Sequence, residues 1–129
     1  DKDFLIINPD TLWKDENILE IKKMEKIYFS KSAKNILLIV KKNLSFDKDL
    51  IGDFNLKKDL IYKNHKNEFI YTGCQIINKQ IFLNFQVQNF SISEIWNILL
   101  KKNELYGFES LNKFYHITNL KVFKKLKDL

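Results

Sequence analysis

The first apolar run of the chain ends at an acidic residue. Phe4–Ile7 are four consecutive apolar residues, and the polar triplet Asn8–Asp10 follows at once. This pattern predicts a strand over about Asp3–Ile7, of the buried parallel kind that ends at the carboxyl edge of a sheet. Ligands bind at that edge in open α/β sheets, which makes Asp10 a candidate functional residue. The alternative is that Asp10 only forms a turn, as aspartate often does at strand ends.

The next two elements complete a β-α-β pattern. Apolar residues recur at helical spacing over Ile18–Tyr28, with Asn17 as a candidate N-cap. A second apolar run, Asn35–Lys41, is long enough for one buried strand. A strand, a helix and a strand at this spacing predict a βαβ unit.

The rest of the chain continues the mixture of strands and helices. The pattern predicts a β-hairpin, a long strand, a short helical turn, a helix capped by Ser91, two short strands and a final amphipathic helix capped by Thr118 or Asn119. They cover residues 52–63, 68–77, 78–85, 91–102, 104–109, 113–117 and 119–126. Gly73 lies within the long strand, where glycine is unfavourable unless a bulge, a neighbouring backbone or a ligand comes close. The prediction is a single α/β domain over residues 1–129.

Composition narrows the class of protein. The 129 residues are 45% hydrophobic and 14% aromatic, which is typical of one folded domain with a real core. No apolar run approaches the roughly 20 residues of a membrane helix. The single cysteine, Cys74, excludes an internal disulfide and is expected to be a small core residue, so the expected location is the reducing cytoplasm.

The positive charge does not by itself indicate nucleic acid. The net charge is +6, but all 22 basic residues are lysine. Nucleic-acid readers usually depend on arginine for bidentate contacts to bases and phosphates. The lysine bias, with abundant Ile, Asn and Phe, points to an AT-rich genome. No nucleic-acid or membrane partner is predicted.

Several chemistries are excluded by the absence of their motifs. The sequence has no cysteine pair or His-x-x-x-His for zinc, and no Gly-x-Ser-x-Gly nucleophile elbow. Three glycines cannot form a glycine-rich phosphate loop. His116 is a second candidate residue, because it lies at a predicted strand end just before a helix cap.

The order of these features resembles the sugar-1-phosphate nucleotidyltransferases. Within that family it resembles the branch of the N-acetylmuramate-1-phosphate uridylyltransferases and the mannose-1-phosphate guanylyltransferase-like proteins. The resemblance runs from Asp3 to the end of the chain and is carried by five short segments. They are Phe4–Asp10 with Trp13, Gly52–Leu56, Tyr71–Gly73, Phe90–Leu100 and Phe114–Leu120.

The resemblance implies a fold and a reaction. The fold would be part of a three-layer α/β/α nucleotidyltransferase domain, GT-A-like and Rossmann-like, with a mixed sheet. In its full-length form the protein would transfer a nucleotidyl group from an NTP, with UTP favoured, to a sugar 1-phosphate. The products would be an NDP-sugar and pyrophosphate, and the cofactor would be Mg²⁺.

The resemblance also assigns roles to individual residues. Asp10 would be the catalytic metal ligand, and Asn8 would contact the sugar or its phosphate. Gly52 and the Thr72–Gly73 pair would let the backbone approach the sugar, which a Cβ would obstruct. His116 occupies the place of a second metal-binding carboxylate.

Three positions depart from the family pattern. Pro9 replaces a glycine, which removes a backbone N–H and fixes φ. His116 replaces an aspartate, and imidazole suits transition metals better than Mg²⁺, so metal binding and a hydrogen bond to a phosphate both stay open for it. Thr118–Leu120 replaces Gly-Thr-Pro and still caps a helix. These departures keep open a degenerate, non-catalytic relative that binds a sugar phosphate or a partner. An unrelated small α/β protein with an anion-binding surface is the third alternative.

The family's nucleotide-binding loop is absent from these residues. Its Gly-x-Gly-x-Arg motif and downstream lysine precede the Asn-Gly-Asp strand, and neither is found before Asp10. The expectation is therefore a C-terminal part that lacks the N-terminal nucleotide-binding half and is inactive alone. The choice between UTP and GTP, the sugar and the oligomeric state stay open.

Overall fold

The computed structural model describes residues 3–83 and 91–128, which form one mixed sheet with helices on both faces. The strands are β1 (Asp3–Ile7), β2 (Asn35–Lys41), β3 (Asn55–Lys57), β4 (Leu60–Tyr62), β5 (Phe69–Asn78) and β6 (Tyr106–Ser110). The helices are α1 (Asp15–Ser30), α2 (Lys79–Leu83), α3 (Ile92–Lys101) and α4 (Leu120–Lys127), and a 3₁₀ turn spans Lys42–Leu44.

The six strands lie in the order β1-β5-β2-β6-β4-β3. The long strand β5 is antiparallel to both β1 and β2, so β1 and β2 run in the same direction with β5 between them. Strands β2 and β6 are parallel, and the β3–β4 hairpin closes the other side of the sheet. The predicted β-α-β order is present, with β5 inserted between its two strands.

The prediction of a buried parallel strand at β1 is wrong for the described residues. β1 pairs only with β5 there, in antiparallel register, and forms one edge of the sheet. Phe4, Leu5 and Ile7 are 45%, 50% and 44% exposed. An apolar run predicts a strand that can be covered on both faces, but it does not specify which strand pairs with it.

The core lies in two layers, one on each face of the central strand β2. Its residues Ile36 and Leu38 pack with Met24 of α1, whereas Leu37 packs with Leu99 of α3. Alternate residues of a strand point to opposite faces, so α1 and α3 cover opposite sides of the sheet. All of these side chains except Leu99 are fully buried. Each fully buried side chain stabilises the folded state by about 1.5–3 kcal/mol because it leaves water. The result is a three-layer α/β/α arrangement.

The start of one helix and one predicted strand differ from the sequence prediction. Helix α1 begins at Asp15 with Lys14 as N-cap, and Asn17 lies in its first turn. The Asn17 side chain accepts a hydrogen bond from the Lys14 backbone N–H at 2.9 Å, so it caps the helix from inside. Residues 113–117 form isolated bridges rather than the predicted strand.

The remaining helix predictions agree with the structure where it describes them. Ser91 caps α3 by accepting from the Ser93 N–H, and Asn119 caps α4 by accepting from the Val122 N–H. The predicted helical turn over 78–85 is present as α2, and its last residues lie outside the described ranges.

Candidate active site at the end of β1

The residues after β1 are held by two backbone partners. The Asn8 N–H donates to the Gly73 carbonyl of β5 at 2.9 Å, which extends the β1–β5 ladder by one residue. The Asn8 carbonyl accepts a hydrogen bond from the Trp13 indole N–H at 3.1 Å. Both sides of the Asn8 peptide are therefore fixed, and Pro9 restricts the backbone further.

A short antiparallel contact then brings Asp10 to His116. The Ile117 N–H donates to the Asp10 carbonyl at 2.8 Å, and the Leu12 N–H donates to the Tyr115 carbonyl at 2.9 Å. This pairing places His116 Nδ1 3.7 Å from Asp10 Oδ1. Two candidate residues that are 106 positions apart in the sequence are thus neighbours in the structure.

A cavity of about 220 Å³ opens beside this pair. Asn8, Thr72, Gly73 and His116 line it, so four of the six predicted site residues meet at one place. The Phe114 ring stacks on the His116 imidazole with centroids 5.8 Å apart and planes 16° apart, which fixes the imidazole against the cavity wall. Asp10 contacts this wall through His116.

Gly73 is required where β5 meets Asn8. Its φ is +94°, a conformation that residues with a side chain rarely adopt. A Cβ at this position would lie 2.9 Å from the Asn8 Cβ. The glycine therefore makes room for the Asn8 side chain, and the ligand interpretation of Gly73 stays a prediction.

Gly52 and Thr72 have structural partners of their own. A Cβ on Gly52 would collide with the Asn67 carbonyl oxygen, so the close approach there is to the chain itself. The buried Thr72 hydroxyl donates to the Leu38 carbonyl at 2.8 Å, and the Thr72 carbonyl accepts from the Thr11 hydroxyl at 3.1 Å. Direct sugar binding by Gly52 and Thr72 stays a prediction.

A second acid, Asp47, anchors the segment that follows His116. Its carboxylate accepts hydrogen bonds from the Thr118 hydroxyl at 2.6 Å and from the Asp49 N–H at 3.0 Å. These two bonds, in that order, hold the pKa of Asp47 below its usual range. The nearby charges of His116 and Lys125 lower this pKa further.

The side chains around Asp10 fit only one kind of metal site. The described residues contain no group of three or more His, Cys, Asp or Glu side chains that could hold an ion. Mg²⁺ usually takes one or two carboxylates, with phosphates and waters completing its shell. The half-exposed carboxylate of Asp10 fits a Mg²⁺ held mainly by substrate oxygens, whereas this set of ligands does not fit a metal caged by the protein alone.

Sequence reasoning gave no site role to the other residues that line the cavity, among them Asp53, Tyr71 and Phe114. Asp53 directly follows Gly52, and Tyr71 lies two residues before Gly73 on the same strand, so both adjoin residues that were singled out. Phe114 precedes His116 by two residues and gives no comparable signal. Cys74 is a fully buried core residue, as predicted. Its burial raises the pKa of the thiol to about 12.

Comparison with known proteins identifies the fold. No family model and no curated protein sequence matches the chain. Among solved structures, a Bacillus anthracis protein assigned as a glucose-1-phosphate thymidylyltransferase, in complex with sucrose, matches with a TM-score of 0.73 and 15% identity. That match covers 98% of this chain and 53% of the other.

Two further structures give the same result. A UDP-glucose pyrophosphorylase from Acinetobacter baumannii matches with a TM-score of 0.72 and 12% identity, over 96% of this chain and 49% of the other. The inositol-1-phosphate CTP transferase from T. maritima matches with a TM-score of 0.64 and 12% identity, over 98% and 56%. This chain therefore spans about half the length of these structures.

These matches establish the fold class. The described chain has the fold of part of a nucleotidyltransferase domain, with a mixed six-stranded sheet between helices, as the sequence predicted. No helix within residues 3–83 and 91–128 is long and apolar enough to span a membrane.

Proposed function

We propose that this chain is the sugar- and metal-binding part of a sugar-1-phosphate nucleotidyltransferase. In its full-length form the enzyme joins an NTP, with UTP favoured, to a sugar 1-phosphate in the cytoplasm. The observation that carries the proposal is the convergence of Asn8, Gly73 and His116 at one cavity, with the Asp10 carboxylate 3.7 Å from the His116 imidazole. The similarity in fold to three structures named for this type of reaction supports it.

The reaction is a displacement at phosphorus. An oxygen of the sugar phosphate attacks the α-phosphorus of the NTP, a new P–O bond forms, and the bond to pyrophosphate breaks. Bound Mg²⁺ would neutralise negative charge on the phosphates. Asp10 is the residue that would hold the ion, because its carboxylate is half-exposed at the end of β1 and points to the same region as His116.

The other residues would orient the sugar phosphate. Asn8 presents its side-chain amide from a backbone that Gly73 and Trp13 hold, so little backbone entropy is lost when it binds a ligand. The His116 imidazole donates hydrogen bonds when protonated and would contact a phosphate. Its stacking on Phe114 holds it ready for that contact.

The nucleotide half of the site would come from a part of the protein outside this chain. The chain matches about half of each nucleotidyltransferase structure, and it contains no glycine-rich loop for a triphosphate. We therefore expect the 129-residue chain to be inactive alone. The branch that the sequence motifs resemble, named for N-acetylmuramate 1-phosphate and mannose 1-phosphate, supplies the first substrates to try.

The test is nucleotide-sugar formation by the full-length protein. Pyrophosphate release is measured with UTP or GTP, a panel of sugar 1-phosphates and Mg²⁺, alongside the 129-residue chain. Asp10→Asn should lower kcat by about 10²-fold or more, which is typical when an electrostatic contact to the reacting phosphates is lost. Asp15→Asn removes the same charge from the exposed first turn of α1 and serves as the matched control.

Each result bears on a separate part of the proposal. Turnover by the 129-residue chain would show that this chain contains a complete active site, which contradicts the proposal. Equal activity of Asp10→Asn and Asp15→Asn would remove Asp10 from the chemistry. Failure of the full-length protein with every NTP and sugar 1-phosphate would favour the second candidate function.

The second candidate is a non-catalytic module that binds a sugar phosphate or a partner. The observation that favours it is the pair of His116 with Asp10, since a histidine lies where a second acid would complete a Mg²⁺ site. This candidate predicts binding of a sugar 1-phosphate without Mg²⁺ and without pyrophosphate release. Isothermal titration with and without Mg²⁺ distinguishes it from the enzyme.

A further inference from the structure

The structure fixes a carboxylate, that of Asp53, in the wall of the cavity. The Asp53 N–H donates to the Phe69 carbonyl at 2.7 Å, and Asp53 Oδ2 accepts the Tyr71 N–H at 2.9 Å. The other oxygen, Oδ1, has no hydrogen-bond partner among the residues that the structure describes. One half of the carboxylate is therefore anchored, and the other half is available to a ligand.

Asp53 lies beside an edge of β5 that pairs with two different segments of the chain. β1 pairs with this edge as far as Gly73, and the main chain of Phe54 pairs with it again at Phe69. Between these two points the Asp53 side chain takes the Tyr71 N–H. The cavity lies in the gap, with Asn8 at one end of it and Asp53 at the other.

The chemistry of the cavity indicates which part of a ligand faces Asp53. A carboxylate accepts hydrogen bonds and does not donate them, and it repels phosphate. The His116 imidazole and the Asn8 side-chain amide are cavity groups that can donate to an anion. Ile70 and Phe114 supply apolar surface in the same cavity, which suits the C–H faces of a sugar ring.

We infer that Asp53 is a specificity-determining residue, whose Oδ1 accepts a hydrogen bond from one hydroxyl group of the sugar ring. This inference rests on the proposed function. In the bound substrate the phosphate faces His116, and one ring hydroxyl contacts Asp53. A sugar that lacks this hydroxyl, or carries an acidic group in its place, is rejected because the fixed carboxylate is left without a donor.

The test is a cycle that combines a protein variant with a substrate analogue. The full-length protein is assayed with UTP or GTP and the 1-phosphates of N-acetylmuramate, mannose, glucose and N-acetylglucosamine. It is then assayed with each monodeoxy analogue of the sugar it accepts best. Asp53→Asn keeps an oxygen for the Tyr71 N–H and removes the charge. Asp49→Asn makes the same change in an exposed residue outside the cavity and is the control.

One monodeoxy analogue should lose about 10- to 100-fold in kcat/KM with the wild type, as expected for a hydrogen bond to a charged group. Asp53→Asn should lose a similar factor with the parent sugar and almost nothing more with that analogue. The KM for the NTP should stay the same in both variants. Urea unfolding of Asp53→Asn shows separately whether the fold is intact.

The outcomes separate the inference from the function on which it rests. If Asp53→Asn matches the wild type, or lowers the rate equally for every analogue, Asp53 does not select a hydroxyl and the inference is overturned. The proposed function then still stands, since the wild type turns over sugar 1-phosphates. If the wild type turns over none of them, the proposed function fails and the inference fails with it.

Discussion

Replacing Gly73 by alanine should destabilise the fold at the candidate site in two ways, by backbone strain and by overpacking against Asn8. At φ +94° an alanine costs about 1–3 kcal/mol of backbone strain. Its Cβ would also lie 2.9 Å from the Asn8 Cβ, whereas carbon atoms prefer about 3.5–4.0 Å. Asn8 cannot move aside freely, because Gly73 and Trp13 hold its peptide. Overpacking of this kind adds about 1–3 kcal/mol.

The two costs can be measured separately with a second substitution. Asn8→Gly removes the Cβ that the new methyl group of Gly73→Ala would contact. It leaves the backbone strain at position 73 in place. Gly73→Ala should therefore lower the free energy of unfolding by about 2–6 kcal/mol in the wild type. In the Asn8→Gly background the loss should be smaller by about 1–3 kcal/mol. Urea unfolding followed by the fluorescence of Trp13 and Trp96 measures both values.

Gly107→Ala is the matched control. Its Cβ would lie 2.7 Å from the Ile61 side chain on β4, away from Asn8 and without a positive φ. It should be additive with Asn8→Gly within about 0.5 kcal/mol. The reasoning is refuted if Gly73→Ala is also additive with Asn8→Gly, or costs less than about 0.5 kcal/mol, a value typical of uninvolved surface positions.

Two smaller predictions concern the segments on either side of Asp10 and His116. Trp13→Phe keeps a ring but loses the bond to the Asn8 carbonyl, and should cost about 0.5–1.5 kcal/mol in urea unfolding and speed amide exchange at Asn8. Asp47→Asn should be less stable than the wild type near pH 6. Because folding lowers the pKa of Asp47, its contribution is present above the unfolded value of about 3.9 and is lost as pH falls through the folded value. The two proteins should converge in stability toward pH 2; a constant difference contradicts this assignment.

The elements followed from local patterns, whereas the pairing of distant residues did not. Asn35–Lys41 forms a strand with the predicted bounds, because seven residues between polar flanks carry the signal. Residues 113–117 look like a strand in sequence, but Phe114 meets Ser45 and His116 meets Thr11 through single bridges. Those partners are too far away in the chain for any local pattern to indicate them.

The candidate site shows the same division. Asp10 and His116 were predicted from their places at element ends, and the fold brings them within 3.7 Å. Asp53 was missed because its position depends on the Tyr71 N–H, 18 residues along the chain. Gly52 was predicted to approach a sugar, yet the group that approaches it is the Asn67 carbonyl. A glycine indicates a close approach without indicating what approaches.

The exposed edge of β1 gives a direct test of the proposal that another half-domain completes the sheet. In the 129-residue chain Leu5 is 50% exposed, so Leu5→Lys should cost less than about 0.5 kcal/mol. In a full-length protein that covers β1, the same lysine would bury an unpaired charge and cost about 3 kcal/mol. Leu83→Lys, at a position 68% exposed, is the control and should be mild in both forms. If Leu5→Lys is equally mild in the full-length protein, the rest of the protein does not cover this face of β1, which contradicts the proposal that another half-domain packs there.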